Sequence, residues 1–202
     1  MGGRHRPHRP ADARGGVRVV NMSWGLSADE VAQQLIDRGL ERDPARAKAR
    51  GAAMWRSVAQ ALRRLIVGSP RILFVVGAGN SDQDDAVQGD AVLSFPAANR
   101  LIVGATGTSG QATSFTVTGR NVDVYAQGEA VRLRWPGDMV VHSSGTSMSA
   151  PLVARAAAQI IATNPRLGAA QVRTGLLATA TPGEGGLRLL HPGATVAWAK
   201  TH

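Results

Sequence analysis

The apolar positions of this chain fall into short continuous runs separated by longer stretches with helical spacing. Val17 to Ser23 is β-branched, short and bounded by Gly16 and Gly25, which predicts a buried strand. Ser27 followed by Glu30 forms a capping-box signature, and Val31, Leu35 and Ile36 share one face of the helix it opens. Gly39 and Pro44 interrupt that pattern. From Ala45 to Val67 a second helix is predicted, with Met54, Val58, Ala61, Leu62 and Leu65 on the apolar stripe and Arg56, Arg63 and Arg64 off it. Arg71 to Val76, Leu101 to Val103 and Val122 to Tyr125 read as three more strands. Ala130 to Trp135 and Asp138 to Val141 alternate around Pro136-Gly137 as a hairpin. Ser149 to Thr163 and Ala169 to Ala178 read as helices. Apolar runs interleaved with helices predict an α/β fold, a mostly parallel sheet covered by helices on both faces. In such sheets sites gather at the carboxyl ends of the strands, where the Gly-rich and Ser-rich segments of this chain fall.

Composition narrows the chemistry. The chain has 202 residues, 44% of them apolar and 18% charged, enough for a substantial core. It has no Cys, which excludes a disulfide scaffold, a thiol nucleophile and thiolate metal sites. Lys plus Arg is 23 against 14 for Asp plus Glu, a formal charge of +9. The Arg residues are scattered and aromatics are only 4%, so no nucleic-acid strip is formed and no nucleic-acid partner is expected. No stretch approaches the roughly 18 apolar residues of a membrane span, so no membrane partner is expected either. Residues 1–16 are Arg, His, Pro and Gly with almost nothing apolar and read as a disordered arm ahead of a folded region at 17–202. Met1 to Pro10 carries positive charge without a following apolar region, so no secretory signal is read there.

Several motifs fail on inspection. Gly77-Ala78-Gly79 follows a strand, but the third glycine of a dinucleotide fingerprint would fall at Asp82. Gly145 to Ser149 resembles a nucleophile elbow with Ser149 where that turn needs Gly. Asp82-Gln83-Asp84-Asp85 lacks the Gly and distal Glu of a calcium loop, and His5 with His8 has no third ligand nearby, so no metal or other cofactor is expected. The segment Ser144-Gly145-Thr146-Ser147-Met148-Ser149-Ala150-Pro151 is different. It places Ser147 at a helix N-terminus, where free N–H groups face a developing oxyanion. Locally, a cluster of helix-capping hydroxyls explains it as well.

Gly145 to Pro151 resembles the nucleophile motif of the subtilisin-like serine proteases, with Ser147 in the place of the nucleophile. Two further blocks match in the family's order. Asn21-Met22-Ser23-Trp24-Gly25 is similar to the segment that binds substrate backbone. Val76-Gly77-Ala78-Gly79-Asn80-Ser81 is similar to the segment carrying the oxyanion-hole Asn, here Asn80. Phe95-Pro96-Ala97 and Ile102-Val103-Gly104-Ala105 also fit, and the resemblance runs from about Val17 to Ala199. It implies a subtilisin-like sheet, a serine endopeptidase chemistry without cofactor, and a peptide or protein substrate. Ser23, Trp24, Gly25, Gly77, Ala78 and Gly79 would form the walls of the substrate pocket.

The family's Asp-Ser/Thr-Gly turn and His-Gly-Thr-His helix start do not occur in this sequence. Asp12 is followed by Ala13 and Arg14, and His142 lies only five residues before Ser147. His191 and His202 fit no motif. A serine hydroxyl without a general base is a weak nucleophile, so the isolated chain is expected to be inactive. Three readings follow: the C-terminal part of a protease truncated by a mis-called start or in its gene, a pseudoprotease that binds peptides or a partner protein, or one half of a split enzyme receiving Asp and His from another chain. A sheet lacking its first strands is expected to expose an edge.

Overall fold

A computed structural model describes residues 16–23, 27–80, 95–119 and 121–202. The arm read at 1–16 lies outside these residues except for Gly16, as do Trp24, Gly25 and the acidic run Asp82 to Asp85. In chain order the elements are β1 (Val19–Met22), α1 (Ala28–Asp37), α2 (Pro44–Gly68), β2 (Leu73–Gly77), β3 (Arg100–Thr106), β4 (Val124–Gln127), β5 (Val131–Trp135), β6 (Met139–Ser143), α3 (Thr146–Thr163), α4 (Ala169–Ala178), β7 (Thr181–Pro182), β8 (Arg188–Leu189) and α5 (Pro192–Thr201). The main sheet has the order β1-β2-β3-β4-β8-β7. The first five strands of that order run parallel, and β7 closes the far edge antiparallel to β8. The opposite edge is β1, which pairs with β2 from Val19↔Leu73 to Met22↔Val76.

Strand alternation sorts the core into two layers, as the sheet's continuous apolar runs require. Leu73, Val75, Leu101, Val103 and Val124 point to the side of α3, α4 and α5, where they meet Val153, Ala157 and Ile160 of α3 and Val172 and Leu176 of α4. Phe74, Val76, Ile102 and Tyr125 point to the other side and pack with Ile66 and Leu62 of α2 and with Phe95 and Val117. The structure thus has the parallel sheet with helices on both faces that the sequence predicts. Each fully buried Leu, Ile, Val or Phe contributes about 1.5–3 kcal/mol of transfer free energy to these layers.

The starts of α1 and α2 follow the sequence closely, whereas α3 begins at Thr146, three residues before the predicted Ser149. Ser27 accepts from the Glu30 amide at 3.1 Å while the Glu30 carboxylate accepts from the Ser27 amide at 2.6 Å, so the predicted capping box forms. Asp43 caps α2 by accepting from the amides of Ala45 and Arg46, ahead of Pro44 in the first turn. The C-terminus of α2 is closed by Asn99, whose side-chain amide reaches the carbonyls of Ile66, Ser69 and Ile72 at 2.9–3.0 Å.

The predicted apolar stripe of α2 is corrected by the structure. Met54, Val58 and Leu65 are 51%, 41% and 51% exposed, whereas Ala47, Gly51, Trp55, Ala59 and Ile66 are buried. The reason is the neighbour. α1 lies against the small-residue face, and a Cβ on Gly51 would sit 2.6 Å from the Ala28 carbonyl oxygen and 2.8 Å from the Ala32 amide nitrogen. Close backbone approach, rather than side-chain size, selects the buried face. Gly51→Ala is therefore expected to push α1 off α2, lowering the melting temperature and exposing Ala28–Asp37 to proteolysis; limited proteolysis with mass spectrometry checks it.

β5 and β6 form a separate two-stranded antiparallel sheet around Pro136-Gly137, in register from Val131↔Ser143 to Trp135↔Met139. Asp123 begins the segment leading into β4. Its carboxylate accepts from the Ile102 amide at 2.9 Å and pairs with the Arg173 guanidinium of α4, which also donates to the Arg100 carbonyl. This cluster ties α4 to the central strand β3. Among the described residues no helix is long and apolar enough to cross a membrane.

Candidate active site

The segments singled out in the sequence converge where β1 and β2 end and α3 begins. Gly145 precedes the helix at φ +147°, a backbone conformation open to glycine and strained for other residues. It offers no side-chain cap, so the first amides of α3 are left to other partners. The Thr146 amide and hydroxyl both donate to Asn80 Oδ1, at 2.8 and 3.0 Å. Thr146 Oγ1 in turn accepts from the Gly79 amide at 3.2 Å. The backbone N–H of Thr146 needs an acceptor, and this fixes which end of the Asn80 amide is oxygen. The Nδ2 end then lies over Gly145, where a Cβ would approach it to 3.2 Å. Among the described residues neither Asn80 Nδ2 nor the Ser147 N–H has a protein partner, so two hydrogen-bond donors stand uncommitted at this helix start.

Ser23 and Ser147 are joined reciprocally. Ser23 Oγ donates to the Ser147 carbonyl at 3.1 Å, and Ser147 Oγ donates to the Ser23 carbonyl at 3.3 Å. The first of these bonds has a cause in the helix itself. Pro151 stands four residues after Ser147 and has no N–H, so the carbonyl of Ser147 loses its helical donor, and Ser23 supplies one.

Of the proposed pocket residues, Gly77 lies against Thr146, with a Cβ there 3.1 Å from Thr146 Oγ1, and buried Ala78 donates to the Val103 carbonyl. Gly79, at φ +111°, donates to Thr146 Oγ1. The structure therefore brings Ser147, Asn80, Ser23 and Gly77 to Gly79 together, while Trp24 and Gly25 lie outside the described residues. Thr146 is the residue that sequence reasoning passes over. Its signal is its position between Gly145 and Ser147, with a hydroxyl able to serve Asn80 and Gly79 at once.

The histidines stand elsewhere. His142 is an exposed residue of β6 opposite Arg132. His191 caps α5 through Nδ1, and His202 stacks on Trp198. Among the described residues no His or carboxylate hydrogen-bonds to Ser147, whose hydroxyl is directed at a backbone carbonyl. Ser149 is fully buried without a hydrogen-bond partner, packed where a Cβ on Gly128 would touch its hydroxyl.

A family model for the subtilase family, Peptidase_S8, matches residues 9–193. This chain belongs to the subtilase family. Subtilisin BL of Lederbergia lenta is 38% identical over 112 residues, 54% of this chain and 39% of that protein. M-protease of Shouchella clausii (strain KSM-K16) is 36% identical over 132 residues, 64% of this chain and 33% of that protein. The chain thus covers between about a third and two fifths of these subtilase relatives. Among solved structures, the prenylagaramide maturation protease PagA aligns with a TM-score of 0.63 at 18% identity, covering 94% of this chain and 64% of that one. A cold-adapted subtilisin-like serine proteinase aligns with a TM-score of 0.53 at 23% identity, covering 86% and 54%. These structural likenesses establish the subtilisin-like fold of this subtilase.

Proposed function

We propose that this subtilase chain carries the nucleophile and the oxyanion hole of a serine endopeptidase, and that the general base and its orienting carboxylate come from a segment or second chain docked on the open edge at β1. The observation that supports it best is the orientation of Asn80. With Oδ1 held twice by Thr146, Nδ2 and the Ser147 N–H are the donors left for a tetrahedral oxyanion. In the reaction Ser147 Oγ bonds to the carbonyl carbon of the scissile peptide, and the carbonyl electron pair moves onto the oxygen facing these donors. The hydroxyl proton passes to the base and then to the leaving amine as the C–N bond breaks. Water repeats the sequence on the acyl-enzyme. An extended peptide lying beside Ser23 and Gly77 to Gly79 as an added strand would present its carbonyl to the site.

A second reading, a pseudoprotease that binds peptides or a partner, is favoured by the hydrogen bond that directs Ser147 Oγ to the Ser23 carbonyl rather than to a base. One experiment separates the two. Alone, the chain is expected to show no peptidase turnover and little labelling of Ser147 by a fluorophosphonate. Mixed with an N-terminal subtilase fragment that carries the Asp and His motifs, it is expected to gain both, in a manner lost in Ser147→Ala. A soluble complex without Ser147-dependent activity would support the binding reading. Brisk labelling of the chain alone would overturn the need for an external base.

A further inference from the structure

Arg155 is the sole ionisable side chain of α3, an 18-residue helix otherwise built of small and apolar residues with a few hydroxyls and one amide, Gln159. Among the described residues it has no ion pair and no hydrogen bond, as is true of most exposed arginines here; what sets it apart is the pocket beside it. It lines a cavity of about 360 Å³ between α3, the carboxyl end of β4 and the start of α5. The floor is apolar, from Ala126, Leu152, Ala156 and Leu190, and Gln159 lies one turn beyond Arg155 on the same wall. Pro192 brings the first turn of α5 to the rim, the positive end of that helix's dipole. Arg155 follows Ser147 by eight positions, a rise of about 12 Å along the helix, so the cavity is separate from the nucleophile.

We propose that this cavity binds an apolar carboxylate, with the carboxylate on the Arg155 guanidinium and the hydrocarbon on the Ala126–Leu152–Leu190 floor. The volume lies near the lower end of small-molecule sites and suits a compact ligand. The planar fork of an arginine matches the two oxygens of a carboxylate, and the Gln159 amide adds a neutral donor beside it. An amine meets the same positive charge with repulsion, and a ligand without a carboxylate leaves the guanidinium unanswered. Two sources share this chemistry: a free short-chain acid and the C-terminal carboxylate of a peptide ending in an apolar residue.

The test is a titration of the isotopically labelled chain followed by amide NMR shifts, with hexanoate, hexanol, hexylamine, and the tripeptide Ala-Ala-Leu as free acid and as C-terminal amide. Hexanoate is expected to give saturable shifts confined to 126–127, 152–159 and 190–191, with a Kd on the order of 1 mM. Arg155→Gln, a change at an exposed side chain, is expected to weaken binding by about tenfold or more, and Arg155→Lys by less. Saturable binding of the tripeptide acid but not its amide identifies peptide ends as the source; binding of hexanoate alone identifies free acids. Equal binding of hexanol, unchanged affinity in Arg155→Gln, or no saturable shifts with any carboxylate would overturn the proposal. None of these readings needs peptidase activity, so their failure leaves the proposed function standing.

Discussion

Asn80→Ala and Asn80→Asp are expected to part company in stability while both suppress the reaction proposed for the complemented chain. The alanine removes the acceptor of the Thr146 amide, and Thr146 is only 2% exposed. A buried N–H left unpaired costs about 1–3 kcal/mol. In a chain of this size that lowers the melting temperature by roughly 2–4 °C per kcal/mol. The aspartate keeps an oxygen where Oδ1 stands, so both Thr146 bonds survive and the melting temperature is expected to stay near that of the parent. What it loses is the Nδ2 donor. In subtilisin, a member of the same family, removing one oxyanion donor costs about 10²–10³ in kcat. That magnitude is carried over to the complemented protein, with KM little changed. Calorimetry on the isolated chain and kinetics on the complemented one are the two measurements. A stable Asn80→Ala, or an Asn80→Asp as destabilised as the alanine, would show that the Thr146 tie does not hold the loop.

Asp123→Ala is the second large effect, and it concerns the frame that carries the site. The Asp123 side chain is 15% exposed and serves two partners, the Ile102 amide of the central strand and the Arg173 guanidinium. Its loss leaves the Ile102 amide without its acceptor and the Arg173 guanidinium without its carboxylate, held only by the Arg100 carbonyl. Breaking a buried pair from one side costs about 3–5 kcal/mol. Arg173 is 28% exposed and regains some water, so about 2–3 kcal/mol is expected here. Urea unfolding at neutral pH measures it, and an unchanged midpoint would mean the cluster contributes nothing net. Asp123→Asn should recover part of the loss, because its carbonyl oxygen can still accept from Ile102.

The Ser27–Glu30 box, the start of α2 near Asp43, the parallel order of the apolar runs and the helix at 169–178 all depend on local chemistry that a sequence displays. The face of α2 does not follow in the same way, because Met54, Val58 and Leu65 look like a core stripe. What decides the burial is that Gly51 and Ala47 permit α1 to approach, and that is a property of the pair of helices. Asn99 and Thr146 are illegible in sequence for a related reason. Each is a small polar residue whose worth lies in partners about thirty and sixty-six residues away. Ser147 and Asn80 are legible through ordered motifs, while the geometry that orients Asn80 comes only from the fold.

The proline at 151 has a consequence for thermodynamic coupling. Since it cannot donate to the Ser147 carbonyl, the first turn of α3 leans on Ser23, a residue on a different segment 124 positions away. Any ligand or strand that orders Ser23 must therefore also steady the turn that carries Ser147. By reciprocity, whatever steadies Ser147 raises the affinity for that ligand by the same factor. The bond from Ser23 Oγ to the Ser147 carbonyl alone contributes the strength of one hydrogen bond, about 0.5–1.5 kcal/mol, or roughly a two- to twelve-fold shift in either equilibrium. An edge-strand contact and the start of α3 thus answer to one another through a single missing N–H.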